Sequence, residues 1–176
     1  MKRAYLILSL LLALAFNVNA QKAIYELPNR VSSSDVLKTD GLVQPFLDDF
    51  LKLCKEYDIE YSDKLFKLKE IAIVDSLQMS SKGGTLGMLV RDSNNQVEKI
   101  VFSWMTLLDK EILKVVAFHE FGHYFLGYKH TCKDCNTIMA EVNTSYFDIV
   151  NDWDNQIKTL FLNSPEYLKK QRLTQH

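Results

Sequence analysis

The segment from Leu108 to Leu126 constrains the fold more than any other stretch of the 176-residue chain. Apolar residues recur in it at helical spacing, with Ile112 and Val116 on one stripe and Val115, Phe118 and Phe125 on another. A helix that is apolar nearly all round has no face to give to water, so it must be buried. Asp109, Lys110 and Glu111 give its start the acidic or mixed character that suits the positive end of the helix dipole, and Gly127 supplies a left-handed stop. Apart from Lys114, three polar side chains interrupt it beyond that start, close together: His119, Glu120 and His123. Burying them without partners would cost several kcal/mol, so a fold that buries this helix must also satisfy these three groups.

Shorter patterns show what packs around it. Phe46, Phe50, Leu53, Cys54 and Tyr57 recur at spacings of three and four, which predicts an amphipathic helix over 42–57 with Cys54 as buried packing. Residues 69–76, 85–91 and 97–104 read as strands, the first through the run Ile71-Ala72-Ile73-Val74. Asp92-Ser93-Asn94-Asn95 is turn chemistry, so the last two strands form a hairpin. A loop follows over 128–141 and a helix over 146–162. Ser164-Pro165-Glu166 then gives an N-cap and an N1 proline for a short terminal helix. Helix, three strands, helix, loop, helix is the order of a single α+β domain, over 41–176. Residues 21–40, polar and carrying Pro28 and Ser32-Ser33-Ser34, read as an extended N-terminal arm.

The N-terminus carries its own signal. Met1-Lys2-Arg3 is basic, Ala4 to Phe16 is almost unbroken apolar, and Val18-Asn19-Ala20 ends in a small residue before Gln21. This is the pattern of a secretory signal peptide over 1–20. The apolar run falls short of the roughly 20 residues that a permanent span needs, so no stable membrane insertion is expected after cleavage. Export to the periplasm or beyond the cell follows. Losing Lys2 and Arg3 leaves 19 cations against 22 carboxylates, a net charge of −3. With no cationic excess, no nucleic-acid partner is expected. Apolar content of 47% and only three Cys exclude a disordered chain and a disulfide-dense miniprotein.

The chemistry lies in His119-Glu120-Phe121-Gly122-His123. On a helix, residues i and i+4 share a face, so both imidazoles can reach one metal ion, with Glu120 beside them as a base for metal-activated water. This is the H-E-x-x-H signature of zinc metallopeptidases. Four His and nine Glu would produce it by chance in roughly one shuffled chain in 300, so the buried helical setting adds weight that the letters alone lack.

Beyond His123 the chain continues through Gly127, His130 and Ile138-Met139. A glycine after the active-site helix, a third His and a following Met resemble the metzincin clan of zincin endopeptidases. The resemblance covers 119–139 and departs from the clan by one extra residue before both Gly127 and His130. It implies a small twisted mixed sheet packed on a central active-site helix, with additional N- and C-terminal helices. It further implies one zinc ion held by His119, His123 and His130, Glu120 as general base, and Met139 in a turn beneath the metal. Glu141, eighteen residues after His123, is the alternative third ligand and would resemble the thermolysin-like group. The resemblance also points to an edge strand at Gly84, Thr85, Leu86 and Gly87 for extended substrate, with Gly83, Gly84 and Gly87 allowing close backbone approach. Tyr146 is a candidate oxyanion partner. Cys132 and Cys135 are expected to form a local disulfide in an exported protein.

The expectation is a monomeric exported zinc peptidase acting on peptide or protein substrates. The alternatives are a catalytically silent binding protein of zincin fold and a metal or redox accessory protein using Cys132/Cys135.

Overall fold

The computed structural model describes residues 37–174 apart from 76, 78, 81–82 and 144. Along them run β1 (Lys38–Thr39), α1 (Gln44–Glu56), α2 (Ser62–Lys67), β2 (Glu70–Val74), β3 (Met79–Ser80), β4 (Gly83–Gly84), β5 (Gly87–Arg91) and β6 (Val97–Ser103). A 3₁₀ turn (Trp104–Leu108), α3 (Lys110–Phe125), α4 (Tyr146–Asn151), α5 (Trp153–Leu162) and α6 (Pro165–Leu173) complete the order. Six α-helices and a four-stranded mixed sheet make this an α+β protein, as the sequence predicts.

The apolar helix is α3, and it is buried. Asp109 caps it, its Oδ1 accepting from the Glu111 N–H at 2.8 Å. Phe118, Phe121 and Phe125 fall on one face and meet Phe50 of α1, with ring centroids 5.3, 5.4 and 5.8 Å away. Phe161 of α5 closes the cluster at 5.3 Å from Phe50. Each such pair contributes about 0.5–1.5 kcal/mol beyond the area it buries. Phe50 is therefore the point where α1, α3 and α5 lock together.

The sheet order is β1-β2-β6-β5. β1, β2 and β6 run parallel, and β5 pairs antiparallel with β6 through the predicted hairpin. Its turn is held by Asp92, whose Oδ1 accepts from Asn94 and Gln96 N–H groups, while Asn95 takes a positive φ of 62°. Ile71 lies opposite Ile100, and Phe102 opposite both Ile73 and Gly87. Phe102 meets Phe121 of α3 edge-on at 6.3 Å, so this face of the sheet rests on the central helix. Opposed residues share a face, which places the Gly87 Cα on the α3 side as well.

The C-terminal end of α3 is closed by residues far away in sequence. Lys64 Nζ of α2 donates to the Phe125 carbonyl at 2.9 Å and pairs with Glu166 of α6 at 2.7 Å. Tyr124 Oη donates to the Lys64 carbonyl at 2.6 Å. A cation at a helix C-terminus meets the negative end of the dipole. Gly127 follows with φ +74°, the left-handed stop read from the sequence.

Several expectations are corrected. The helix over 146–162 divides at Asp152 into α4 and α5, because Asp152 leaves helical geometry and its Oδ1 accepts from the Asn155 amide instead. Trp104 opens the 3₁₀ turn rather than ending a strand, since the Ser103 Oγ caps that turn at Met105 N–H. Gly84, Thr85 and Leu86 do not lie in the sheet's edge strand: β4 pairs with β3 as a separate two-stranded unit, and β5 begins at Gly87. β1 and α2 were too short to leave a periodic pattern. Of the arm over 21–40, residues 37–40 are described, and Lys38–Thr39 pair with β2. The signal-peptide segment 1–20 lies outside the described residues. No helix among the described residues is long and apolar enough to cross a membrane.

Phe50→Ala is expected to lower stability by about 3–5 kcal/mol, read by urea or thermal unfolding. A loss under about 1 kcal/mol would show that the aromatic cluster is not the core's keystone.

Candidate metal centre

His119 and His123 lie one turn apart on α3, and the loop beyond Gly127 returns His130 to them. The His123 Nε2 stands 3.0 Å from the His119 Nε2, and the His130 Nε2 3.2 Å from the same atom. The other ring nitrogens of the two helical histidines are already engaged. His119 Nδ1 bonds the Ile138 carbonyl at 2.7 Å and His123 Nδ1 bonds the Tyr128 carbonyl at 2.8 Å. A carbonyl can only accept, so each Nδ1 carries the proton and each Nε2 presents a lone pair to the centre. Burial, opposed by the Ile138 bond and reinforced by the neighbouring imidazoles, pushes His119 down to about 4. Burial also lowers His123, again opposed by its carbonyl bond. Both rings are therefore neutral at pH 7.

Neutral lone pairs facing one another at this distance repel unless a cation lies between them. Zinc–imidazole bonds of 2.0–2.1 Å in a tetrahedral site separate the nitrogens by about 3.3 Å, close to what is found here. The three histidines form a group that can hold a metal ion, with all ligand atoms within 4.8 Å of one another. Three imidazoles suit zinc, copper, iron or nickel and leave a fourth position open in a tetrahedral site.

Glu120 is buried, only 6% exposed, between α3 and the edge of the sheet. Burial alone raises its carboxyl to about 8. A divalent cation on the adjacent imidazoles acts in the opposite direction and favours the carboxylate. Its place is cut out by Gly87: a Cβ there would lie 2.6 Å from both Cγ and Oε1 of Glu120. Glycine at the start of β5 is thus required by the close approach of a carboxylate. The Ser103 N–H donates to the Leu86 carbonyl at 2.9 Å, which turns the main-chain groups of Leu86, Met88 and Val90 toward β6. Those of Gly87 and Leu89 face outward from the sheet's last strand.

The loop over 128–141 is tied down throughout. Tyr128 reaches back to the helix, its N–H donating to the Gly122 carbonyl at 3.2 Å and its Oη to the Leu160 carbonyl at 2.8 Å. Thr131 N–H meets the Met139 carbonyl at 2.9 Å, and Cys132 bridges Ala140. Cys132 and Cys135 lie at disulfide-bonding distance, with Cα atoms 6.1 Å apart, while Cys54 is free and buried. Ile138 and Met139 occupy the centre of a turn closed by the Ala140 N–H on the Thr137 carbonyl at 3.2 Å. Met139 packs under the site helix: a Cβ at Gly122 would meet its Sδ at 2.6 Å.

Some expected residues stay apart from this cluster. Glu141 is exposed, outside the histidine group, and gives its N–H to the Cys132 carbonyl at 2.9 Å. Tyr146 opens α4 and is half-buried against the core, its hydroxyl pKa raised by burial. Gly84, Thr85 and Leu86 precede the edge strand, and Gly87 at its start lies against Glu120. The orienting carbonyls of Ile138 and Tyr128 and the packing of Gly122 on Met139 left no mark in the sequence, because any residue supplies a carbonyl. Compared with known proteins, the chain matches no family model, no curated protein and no solved structure.

Gly122→Ala is expected to cost about 1 kcal/mol, since the flexible Met139 must move, and Met139→Ala about 2–4 kcal/mol. The double variant should lose less than the sum of the two, as measured by chemical denaturation. Strict additivity would mean that the two do not touch.

Proposed function

We propose that the chain is an exported zinc peptidase of metzincin-like architecture, with His119, His123 and His130 as metal ligands and Glu120 as general base. The observation that carries this reading is the convergence of three Nε2 atoms, two of them made lone-pair donors by main-chain carbonyls on Nδ1, with a buried carboxylate on the helix that carries those two. The turn around Ile138-Met139 packed on Gly122 supports the clan-level part of the reading. Its fit to the resemblance rests on residues 119–139.

Zinc, when bound, supplies Lewis acidity that polarises a scissile carbonyl and acidifies water. Glu120 accepts the proton from the attacking water and carries it to the leaving amine, which demands that its carboxyl swing no further than the cleft beside Gly87 allows. Its burial keeps bulk water from competing with Glu120 for that proton. The outward N–H and C=O groups of Gly87 and Leu89 bind the main chain of an extended peptide, as a strand added to the edge. Gly87 then sits beside the scissile bond, where the absence of a side chain lets substrate and Glu120 approach together. His130 completes the ligand set in preference to Glu141, which stands outside the cluster.

Three variants test the assignment. Glu120→Ala should keep one zinc per chain by elemental analysis and lose about 10²–10⁴ in kcat/KM. His119→Ala should lose both metal and hydrolysis. Gly87→Ala should retain zinc but lower kcat by displacing Glu120. Unaltered peptide cleavage by the Glu120→Ala protein would overturn the base assignment, and cleavage indifferent to a zinc chelator would overturn the metal.

A further inference from the structure

From His123 and Tyr124 a cleft of about 680 Å³ runs out between α2 and the far end of the β5–β6 hairpin. Lys64, Lys67, Lys69 and Arg91 line it, opposed by Asp92 and Glu98. These charges are unequally engaged. Lys69 is paired with Glu98 at 2.8 Å, and Lys64 with Glu166 at 2.7 Å. Asp92 spends Oδ1 on the hairpin turn. Among the described residues the Arg91 guanidinium makes one bond, from Nη1 to the Asn95 carbonyl at 2.9 Å, which leaves most of its five N–H donors free of them. Lys67 is exposed and has no ion-pair partner among the described residues.

The position of Arg91 relative to the site is set by the strand, and Lys67, the last residue of α2, lines the same cleft. Leu89 and Arg91 both line the cleft, and they follow Gly87 on alternate residues of β5. Four residues of strand from Gly87 to Arg91 span about 13 Å. A peptide added to this edge with its scissile bond at Gly87 carries its third or fourth residue past Arg91, on the cleft that Lys67 also lines. A carboxylate at that point meets a planar fork and a free ammonium, the arrangement that recognises carboxylates best.

We infer that this cleft is a specificity subsite for a carboxylate, carried by an acidic side chain or by the peptide's own C-terminus, three or four residues from the scissile bond. The inference rests on the edge-strand mode of substrate binding proposed above. It makes the substrates acidic on one side of the cut although the protein itself is near neutral. Arg91 and Lys67 are the specificity residues, and their contribution weakens as salt screens it.

The test uses the full zinc-loaded chain and matched fluorogenic peptides that differ only in Glu against Gln, scanned over the four residues on each side of the bond. A further pair ends at the same positions with a free or an amidated C-terminus, which separates side-chain from terminal carboxylate. Binding of every pair to the zinc-loaded Glu120→Ala protein is measured alongside, because binding needs no turnover. The acidic member should bind and be cleaved about three- to tenfold better at one position. Arg91→Gln and, separately, Lys67→Gln should bring that ratio toward one, and Lys67→Gln does so without touching the hairpin. Equal binding of both members at every position overturns the subsite, as does a ratio unchanged in both variants. Selective binding with no cleavage by the unsubstituted protein sustains the subsite and overturns the peptidase reading instead.

Discussion

Two hydrogen bonds organise the site: His119 Nδ1 to the Ile138 carbonyl and His123 Nδ1 to the Tyr128 carbonyl. Each fixes a tautomer, and together they aim two lone pairs at one point. Both acceptors are main-chain atoms of the loop after α3, so the loop's conformation and the ligands' orientation are one problem. The loop is accordingly held at both ends. Tyr128 is anchored to Gly122 and to α5, and Ile138 N–H is held by Gln156 Oε1 at 3.3 Å. The same loop carries His130 and the Cys132/Cys135 pair. A staple across residues 132–135 reduces the freedom of the segment that must bring the third imidazole in.

The helix that carries His119 and His123 has to be rigid for these lone pairs to stay aimed at one point, and its burial makes it so. Phe118, Phe121 and Phe125 pack on Phe50, Phe118 also meets Trp153 and Phe121 also meets Phe102 of the sheet, and the helix further contacts the 3₁₀ turn. Lys64 and Glu166 seal its C-terminal end at the point where the chain reverses. Gly87 and Gly122 mark the two places where close approach leaves no room for a side chain, one over Glu120 and one over Met139. One element thus serves both the core and the candidate site: the helix is buried as a core helix and carries His119, Glu120 and His123 close together.

Much of this was legible in the residues. The all-round apolar pattern of 108–126 predicted a buried central helix, and Asp92 to Asn95 predicted the hairpin, because both depend on local chemistry. His119 and His123 followed from helical spacing. The return of His130 could be expected only from resemblance, since one residue more or less in an exit loop changes its direction without changing its composition. Main-chain carbonyls as orienting groups have no sequence signature. Neither has the break at Asp152, where an otherwise continuous apolar periodicity concealed a local side-chain hydrogen bond. The edge strand begins at Gly87 rather than at residue 85, because glycines at 83 and 84 carry the same composition as Gly87, and only pairing to β6 distinguishes them.

The central claim is that three imidazoles of one helix and one loop make a single metal site. X-ray absorption at the zinc edge of the loaded protein tests it most directly. Three imidazole nitrogens and one further light atom, all at about 2.0–2.1 Å, are the predicted shell. A shell with two imidazoles and a carboxylate, or with sulfur from the Cys132/Cys135 pair, would contradict it.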